Sequence, residues 1–305
     1  MRLDVALIRR YPGMSRRKAQ TVIEKGQVTV DGTTVLDKGR AVGEDATLVW
    51  DPNKKARRRA RISLPVLYED ESVLVVDKPA GLLAVPTSPD ATGEDTALAR
   101  VQDYVRHLTP RRPYVGVVHR IDRDTSGALA FALAPAARPA LRAMFREHRI
   151  ERRYTALVLG DPRGERGQID LPIHDAYEGG RRRVARPGEP SLPALTRWTV
   201  VERFAGAALL EIELQTGRQH QIRIHLAHMG SPILGDPVYG RARGASTAPV
   251  GAPRQMLHAR LLAFAHPSSG LAVRAESPLP ADFQGALTAL RRSSGGRGGG
   301  RARRG

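Results

Sequence analysis

Residues 115–131 read VGVVHRIDRDTSGALAF, which places nine mostly polar residues, 119–127, between two apolar runs. The nine include two aspartates, two arginines and a histidine. Apolar runs of this kind predict buried strands, and loops between strands are where binding and catalytic residues collect. The segment therefore predicts two strands joined by a loop that is either a turn or a reactive site.

Only part of this loop has the composition of a plain turn. Residues 124–127 are Asp, Thr, Ser and Gly, all ordinary turn formers. By contrast, His119, Arg120 and Asp122 stand where the preceding strand should continue. Ionic groups in a buried strand are unfavourable unless they are paired with an opposite charge or take part in the protein's chemistry. A carboxylate beside fixed guanidinium groups stays ionised. This favours a nucleophile or an electrostatic stabiliser over a general acid.

Two hydrolase interpretations of the loop are weaker. Residues 124–127 are similar to the Asp-Thr-Gly loop of aspartic proteases, but that loop is one residue shorter and those enzymes need two such carboxylates. The motif occurs once in this chain. A triad of Ser126, His119 and Asp124 lacks the Gly-x-Ser-x-Gly elbow of its class.

The composition also argues against a metal centre. The chain has no cysteine, which excludes disulfides, thiol nucleophiles and thiolate metal sites. His220, His225 and His228 lie close together in the sequence with Asp236 beyond them, but no nearby glutamate completes a ligand set. We therefore predict no metal.

The net charge of +18 is unevenly distributed. Residues 54–61 and 291–305 hold six basic residues each and no acidic ones, which leaves +6 on the rest of the chain. The folded part is thus only modestly basic, and charge alone is weak support for RNA binding. The Gly/Arg-rich composition of residues 291–305 predicts a disordered tail.

The loop 119–127 resembles the active-site motif of the RluA class of RNA pseudouridine synthases. Residues 77–82, 153–158 and 216–223 match further motifs of that class in the same order. The resemblance implies an α+β fold with a mixed, mainly antiparallel sheet, flanking helices and a cleft. Strands and helices mixed without regular βα repeats favour the same class.

The resemblance also implies roles for individual residues. Asp122, and not Asp124, matches the catalytic aspartate, Arg218 matches the basic residue that pairs with it, and Tyr154 matches the tyrosine that stacks on the everted base. Arg120 is expected to fill the gap left by that base or to bind phosphates. The reaction breaks the N1–C1′ bond of uridine and rejoins the uracil through C5, so no cofactor is expected.

The N-terminal residues predict a small RNA-binding domain. Ser15 is a favourable helix N-cap, and residues 16–25 are predicted to form a helix that ends before Gly26. Residues 27–35 are predicted to form a hairpin that turns at Asp31 and Gly32. Arg16, Arg17 and Lys18 stand in the first turn of that helix, where their charge opposes the helix dipole and suggests an external anion. The stretch resembles the alpha-L RNA-binding domain. We expect these three residues, with Arg120, His119 and Arg223, to contact RNA.

The predicted organisation is an alpha-L domain over residues 1–50, a basic linker over 51–63, a catalytic domain over 64–290 and the tail over 291–305. No apolar run is long enough to span a bilayer, and we expect a cytoplasmic monomer with RNA as its partner. Large-subunit ribosomal RNA is the preferred target. A transfer RNA synthase, or a ribosome-associated RNA-binding protein without activity, are the alternatives.

Overall fold

A computed structural model describes residues 1–35, 38–54, 63–88, 90–91, 93–108, 113–177, 181–240 and 250–295. The helices are α1 (Leu3–Arg10), α2 (Arg16–Glu24), α3 (Ala97–Leu108), α4 (Ala137–Arg146), α5 (Gln221–His228) and α6 (Ala281–Gly295). The strands are β1 (Val28–Val30), β2 (Thr33–Thr34), β3 (Leu48–Trp50), β4 (Val66–Glu69), β5 (Val73–Lys78), β6 (Gly116–Val117), β7 (Ser126–Ala132), β8 (Glu151–Leu159), β9 (Arg166–Asp170), β10 (Ile173–His174), β11 (Ser191–Leu192), β12 (Leu195–Phe204), β13 (Ala207–Leu214), β14 (Leu257–Ala265) and β15 (Ala272–Glu276).

The N-terminal unit packs α1 and α2 beside a three-stranded sheet in the order β2-β1-β3. The predicted cap is present, since Ser15 Oγ accepts a hydrogen bond of 3.2 Å from the backbone N–H of Lys18. The predicted hairpin turn is present as well: Asp31 and Gly32 both have positive φ, 50° and 77°, as a type I′ turn requires. Local sequence signals thus determine the elements of this unit.

A second, ten-stranded sheet runs in the order β4-β5-β7-β14-β8-β13-β12-β9, with β15 beside β14 and β6 beside β7. Its strand pairs are antiparallel except for β7 and β14, which are parallel. The predicted α+β class with a mixed, mainly antiparallel sheet is confirmed.

Helices cover both faces of this sheet. The run of four apolar residues at the start of β5 explains why: Val73 and Val75 pack with the buried side of α4, whereas Leu74 and Val76 pack with α3. A strand buried on both faces is a continuous apolar run and not an alternating one. Helix α6 packs on the other half of the sheet, where Phe283 and Leu290 are fully buried.

The parallel pair β7 and β14 fixes the end of the polar loop. Gly127 pairs with Ala259 and has a φ of 116°, which side chains rarely allow. A Cβ at this position would overlap the carbonyl oxygen of Ala259. The glycine that ends the loop is therefore required by the close approach of the two strands.

Helix α6 corrects the predicted start of the tail. The helix continues to Gly295, so residues 291–295 are helical and not disordered, and Arg291 forms an ion pair with Glu202. Residues 296–305 and most of the predicted linker, 55–62, lie outside the described residues. Within the described part of the chain, every helix is too short or too polar to cross a membrane.

Candidate active site

The loop 119–127 joins β6 to β7 and is held from several sides. Lys78, at the end of β5, is fully buried, and its Nζ donates to the carbonyl oxygens of Pro79, Leu82 and Arg123 at 2.9, 2.7 and 2.8 Å. Burial lowers the pKa of Lys78 to about 7, while the nearby Asp124 acts in the opposite direction. Three acceptors require three N–H donors, which only the ammonium form supplies. This buried cation therefore ties the loop to β5.

Replacing Lys78 with methionine tests this role. The variant leaves the buried carbonyl of Leu82 without a donor and removes two part-buried hydrogen bonds, to Pro79 and Arg123, so we expect the free energy of unfolding to fall by roughly 2–4 kcal/mol. Turnover at this site should slow through kcat more than KM, because the loop and not the outer binding surface is disturbed. Thermal unfolding and steady-state kinetics measure both, with Lys25→Met at an exposed lysine as control. Unchanged stability would contradict the assigned contacts.

A buried chain of charges lies at the centre of the site. Arg223, on α5, donates from Nη1 to Asp122 Oδ2 at 3.1 Å and binds both oxygens of Asp236, with Nε–Oδ2 at 2.7 Å and Nη2–Oδ1 at 3.0 Å. The side chains of Arg223 and Asp236 are only 6% and 0% exposed, whereas that of Asp122 is 22% exposed. Asp122 is therefore the member of this chain that a ligand can reach.

The partner of Asp122 corrects the prediction made from the sequence. The sequence predicts that Arg218 pairs with Asp122, but Arg218 lies in the loop before α5 and its Nε donates to the carbonyl oxygen of Pro193 at 3.0 Å. Arg223 lies within the first turn of α5, on its buried side, and takes the place at the carboxylate. The helix begins at Gln221, so it turns Arg223 and not Arg218 toward the loop.

Tyr154, on β8, lines the same cavity as Asp122. Its side chain packs in the core cluster that also contains Ile121, the residue before Asp122. Burial raises the pKa of Tyr154 to about 12, although the neighbouring Arg152 acts in the opposite direction. At neutral pH the hydroxyl is therefore protonated, and the ring presents an apolar wall with a polar tip.

The cavity around these residues has a volume of about 570 Å³ and is strongly cationic. Within the described chain, Asp122 is the only carboxylate that lines the cavity, whereas the arginines that line it come from four segments. These arginines are Arg120, Arg142, Arg146, Arg152, Arg218 and Arg223. Six arginines against the one lining carboxylate, with Asp236 behind Arg223, still leave the cavity with an excess of positive charge. The site is built for an anionic ligand.

Two predicted RNA contacts are placed differently by the structure. Arg223 is buried in its two ion pairs, so it has no free donor face for a phosphate. His119 Nε2 accepts the backbone N–H of Ala130 at 2.9 Å, and its ring stacks on Phe145 at 4.4 Å between centroids. Burial lowers the pKa of His119 to about 3, so the ring is neutral and positions the loop.

The other predicted RNA contacts are exposed. Arg120 lies at the cavity with its side chain in solvent. In the N-terminal unit, Arg16 contacts Asp4 at 3.4 Å while 64% exposed, and Lys18 lies 5.0 Å from the ring centre of Trp50. Arg17 is exposed on the same turn. These four side chains are open to solvent, as the expected contact with RNA requires.

The competing sites considered from the sequence are not assembled. His225 uses both ring nitrogens, with Nδ1 at 2.9 Å from Thr196 Oγ1 and Nε2 at 2.9 Å from the Leu171 carbonyl oxygen, so it cannot ligate a metal.

Ser126 Oγ lies 3.0 Å from Nδ1 of His258 and not against His119. The triad of Ser126, His119 and Asp124 considered from the sequence is therefore not formed.

Some residues of the site were not singled out from the sequence. Arg152 is 7% exposed and donates from Nη2 to the carbonyl oxygens of Leu214 and Gln215. The sequence contains a signal for Arg152, because Arg152 and Tyr154 are two residues apart on one strand and so share a face of the sheet. Arg142 and Arg146 likewise stand four residues apart on α4, which places them on one face of the helix.

A reachable carboxylate held by a buried guanidinium, in the lining of a cationic cavity, is the arrangement expected of an enzyme that acts on a polyanion. Residues 72–228 match the RNA pseudouridylate synthase family, and residues 1–48 match the S4 domain, where the small RNA-binding domain was predicted. The chain belongs to the RNA pseudouridylate synthase family, whose members isomerise uridine in RNA to pseudouridine.

Individual proteins agree with this assignment. The chain is 37% identical over 299 residues to ribosomal large subunit pseudouridine synthase D of Nitrosomonas europaea, covering 95% of this chain and 85% of that protein. It is 38% identical over 305 residues to the protein of that name in Xanthomonas campestris, covering 96% and 90%. The solved structure of human RNA pseudouridylate synthase domain containing 4 shares the fold, with a TM-score of 0.62, 23% identity and coverage of 74% and 93%.

Proposed function

We propose that this enzyme forms pseudouridine in large-subunit ribosomal RNA, with Asp122 as its catalytic residue. The observation that carries the proposal is the ion pair between Asp122 and Arg223 in the lining of the cationic cavity. Relatives named ribosomal large subunit pseudouridine synthase D, which align over nearly the whole chain, support the choice of RNA.

Asp122 provides the negative charge that the reaction needs. Its Oδ2 is held by Arg223, and its Oδ1 has no hydrogen-bond partner within the described chain. As the N1–C1′ bond breaks, the uracil leaves with the bonding electrons and the sugar carbon becomes electron-poor. A carboxylate next to that carbon attacks or stabilises it, as in retaining glycoside cleavage. Arg223 keeps the carboxylate aimed, and Asp236 keeps Arg223 in place.

The uridine has to leave its stack to reach Asp122. The cavity of about 570 Å³ is large enough for one nucleotide, and the ring of Tyr154 forms part of its wall. Everting a base requires a few kcal/mol of unstacking energy. Arg120, next to Ile121 in the chain, lines the cavity and is exposed, which supports a role in occupying the vacated position or binding the flanking phosphates.

Mapping pseudouridines after incubation with defined RNAs tests the proposal. The purified chain is incubated with transcripts of large-subunit ribosomal RNA and, separately, with transfer RNA transcripts. We expect pseudouridine at discrete positions of the ribosomal transcript alone. Modification of transfer RNA alone would overturn the target, and tight binding of RNA without any pseudouridine would support a catalytically silent RNA-binding protein instead.

A further inference from the structure

Helix α4 carries three arginines on one face, Arg138, Arg142 and Arg146, which we call the α4 arginine row. They are spaced four residues apart, so their side chains lie along one stripe that extends about 12 Å. All three are exposed, whereas the opposite face of the helix is buried through Leu141 and Met144. The row is therefore a solvent-facing feature of a helix that is firmly packed on the sheet.

The row is continuous with the active site. Arg142 and Arg146 line the active-site cavity, and both also line a neighbouring groove of about 350 Å³. Arg138 lines that groove together with Tyr114 and two prolines. The same side chains thus form the wall between cavity and groove, and the row leads outward from the cavity that holds Asp122.

The charges of the row are not neutralised. Arg138 and Arg142 have no carboxylate partner within the described chain, and Arg146 has one contact of 3.5 Å, to the exposed Glu147. Some exposed arginines elsewhere are paired: Arg153, for example, is bound by two glutamates, Glu151 and Glu211. Unpaired like charges on neighbouring turns repel each other, which favours an external anion.

The position of Arg138 depends on a glycine in β6. A Cβ at Gly116 would lie 2.9 Å from Arg138 Cδ and 3.1 Å from its Cγ. The methylene groups of Arg138 therefore lie directly over Gly116, so this side chain already has a defined path along the surface. A side chain held in this way loses less conformational entropy when it binds.

We propose that the α4 arginine row binds the phosphates of the RNA strand that flanks the target uridine. The inference rests on the proposed function and adds the path that the substrate takes outside the cavity. Stacked nucleotides advance about 3.4 Å per residue along one strand, so a row of about 12 Å spans about three to four phosphates. An arginine can bind each phosphate with two donors.

The test is a triple variant, R138Q/R142Q/R146Q, compared with a matched triple variant, R163Q/R197Q/R260Q. The control removes the same charge from exposed arginines that line neither the cavity nor the groove. Glutamine retains helix propensity, so α4 should stay folded. Affinity for the ribosomal RNA substrate is measured between about 50 mM and about 500 mM salt, with thermal unfolding as a check.

We expect the row variant to reduce the slope of log Kd against log salt by about 2, at roughly 0.7 for each lost contact with single-stranded RNA. Near physiological salt its KM should rise by roughly 10- to 50-fold with kcat within about threefold, because the row does not touch the reacting atoms. The control variant should change the slope by less than half as much. Shortening the RNA on the side that follows the row should abolish the difference in salt slope and KM between the row variant and the unmodified enzyme.

The outcomes separate this inference from the proposed function. If the enzyme forms pseudouridine but the row and control variants have equal slopes and equal KM, the row is not an RNA site and the proposed function stands. If no RNA is isomerised, the proposed function is wrong, and the slope comparison still tests the row because it measures binding alone.

Discussion

Replacing Asp122 with asparagine is expected to reduce the rate of pseudouridine formation by at least about 10³-fold while RNA affinity stays within a few-fold. Asparagine has the shape of aspartate and can still accept the hydrogen bond from Arg223, but it carries no negative charge for the electron-poor sugar carbon. Arg223 remains bound to both oxygens of Asp236, so the variant should fold. The measurement is a single-turnover rate at saturating enzyme, with the Kd determined separately.

Asp124→Asn provides the matched control, since it makes the same substitution two residues away in the same loop. The Asp124 side chain does not line the cavity. We expect this variant to retain activity within about tenfold of the unmodified enzyme. If Asp122→Asn turned over at a near-normal rate, or if Asp124→Asn were the inactive variant, the assignment of the catalytic carboxylate would be wrong.

Several elements could be predicted from the sequence because local rules decide them. The cap at Ser15 and the turn at Asp31 and Gly32 depend on side-chain and backbone preferences within a few residues. The polar loop was recognised because its charges interrupt an apolar run, and the structure places that loop at the cavity.

Other features depend on contacts between distant parts of the chain. The parallel pairing of β7 with β14 joins residues about 130 positions apart, and no local signal predicts it. The pairing of Asp122 with Arg223, and not with the predicted Arg218, has the same origin. Both arginines lie in one matched motif, and which of them faces Asp122 depends on where α5 begins and on the buried carboxylate of Asp236, which lies beyond the helix.

Replacing Arg223 with glutamine is expected to have the second large effect, on both folding and chemistry. The change leaves Asp236, which is fully buried, without its cationic partner and frees Asp122 from its only ion pair within the described chain. Removing one partner of a buried ion pair typically reduces stability by about 3–5 kcal/mol. We therefore expect a large fall in the thermal unfolding temperature and a loss of at least about 10²-fold in the single-turnover rate.

The double variant R223Q/D236N separates these two effects. The introduced asparagine would keep an Oδ1 that accepts the backbone N–H groups of Val238 and Tyr239, as Asp236 does at 2.9 and 3.0 Å, but would bury no charge. We expect the double variant to recover most of the lost stability and none of the lost activity. Recovery of activity together with stability would mean that Arg223 acts only in folding.

The variant Arg218→Gln tests which of the two arginines of this motif supports the carboxylate of Asp122. This variant removes one hydrogen bond, from Nε to the carbonyl oxygen of Pro193, and leaves the pair of Asp122 and Arg223 intact. Because a single exposed hydrogen bond contributes about 1 kcal/mol, the rate of Arg218→Gln should exceed that of Arg223→Gln by at least about tenfold. The reverse order would show that Arg218 supports the catalytic carboxylate during the reaction. In that case the ion pair seen here would have to exchange partners when RNA binds.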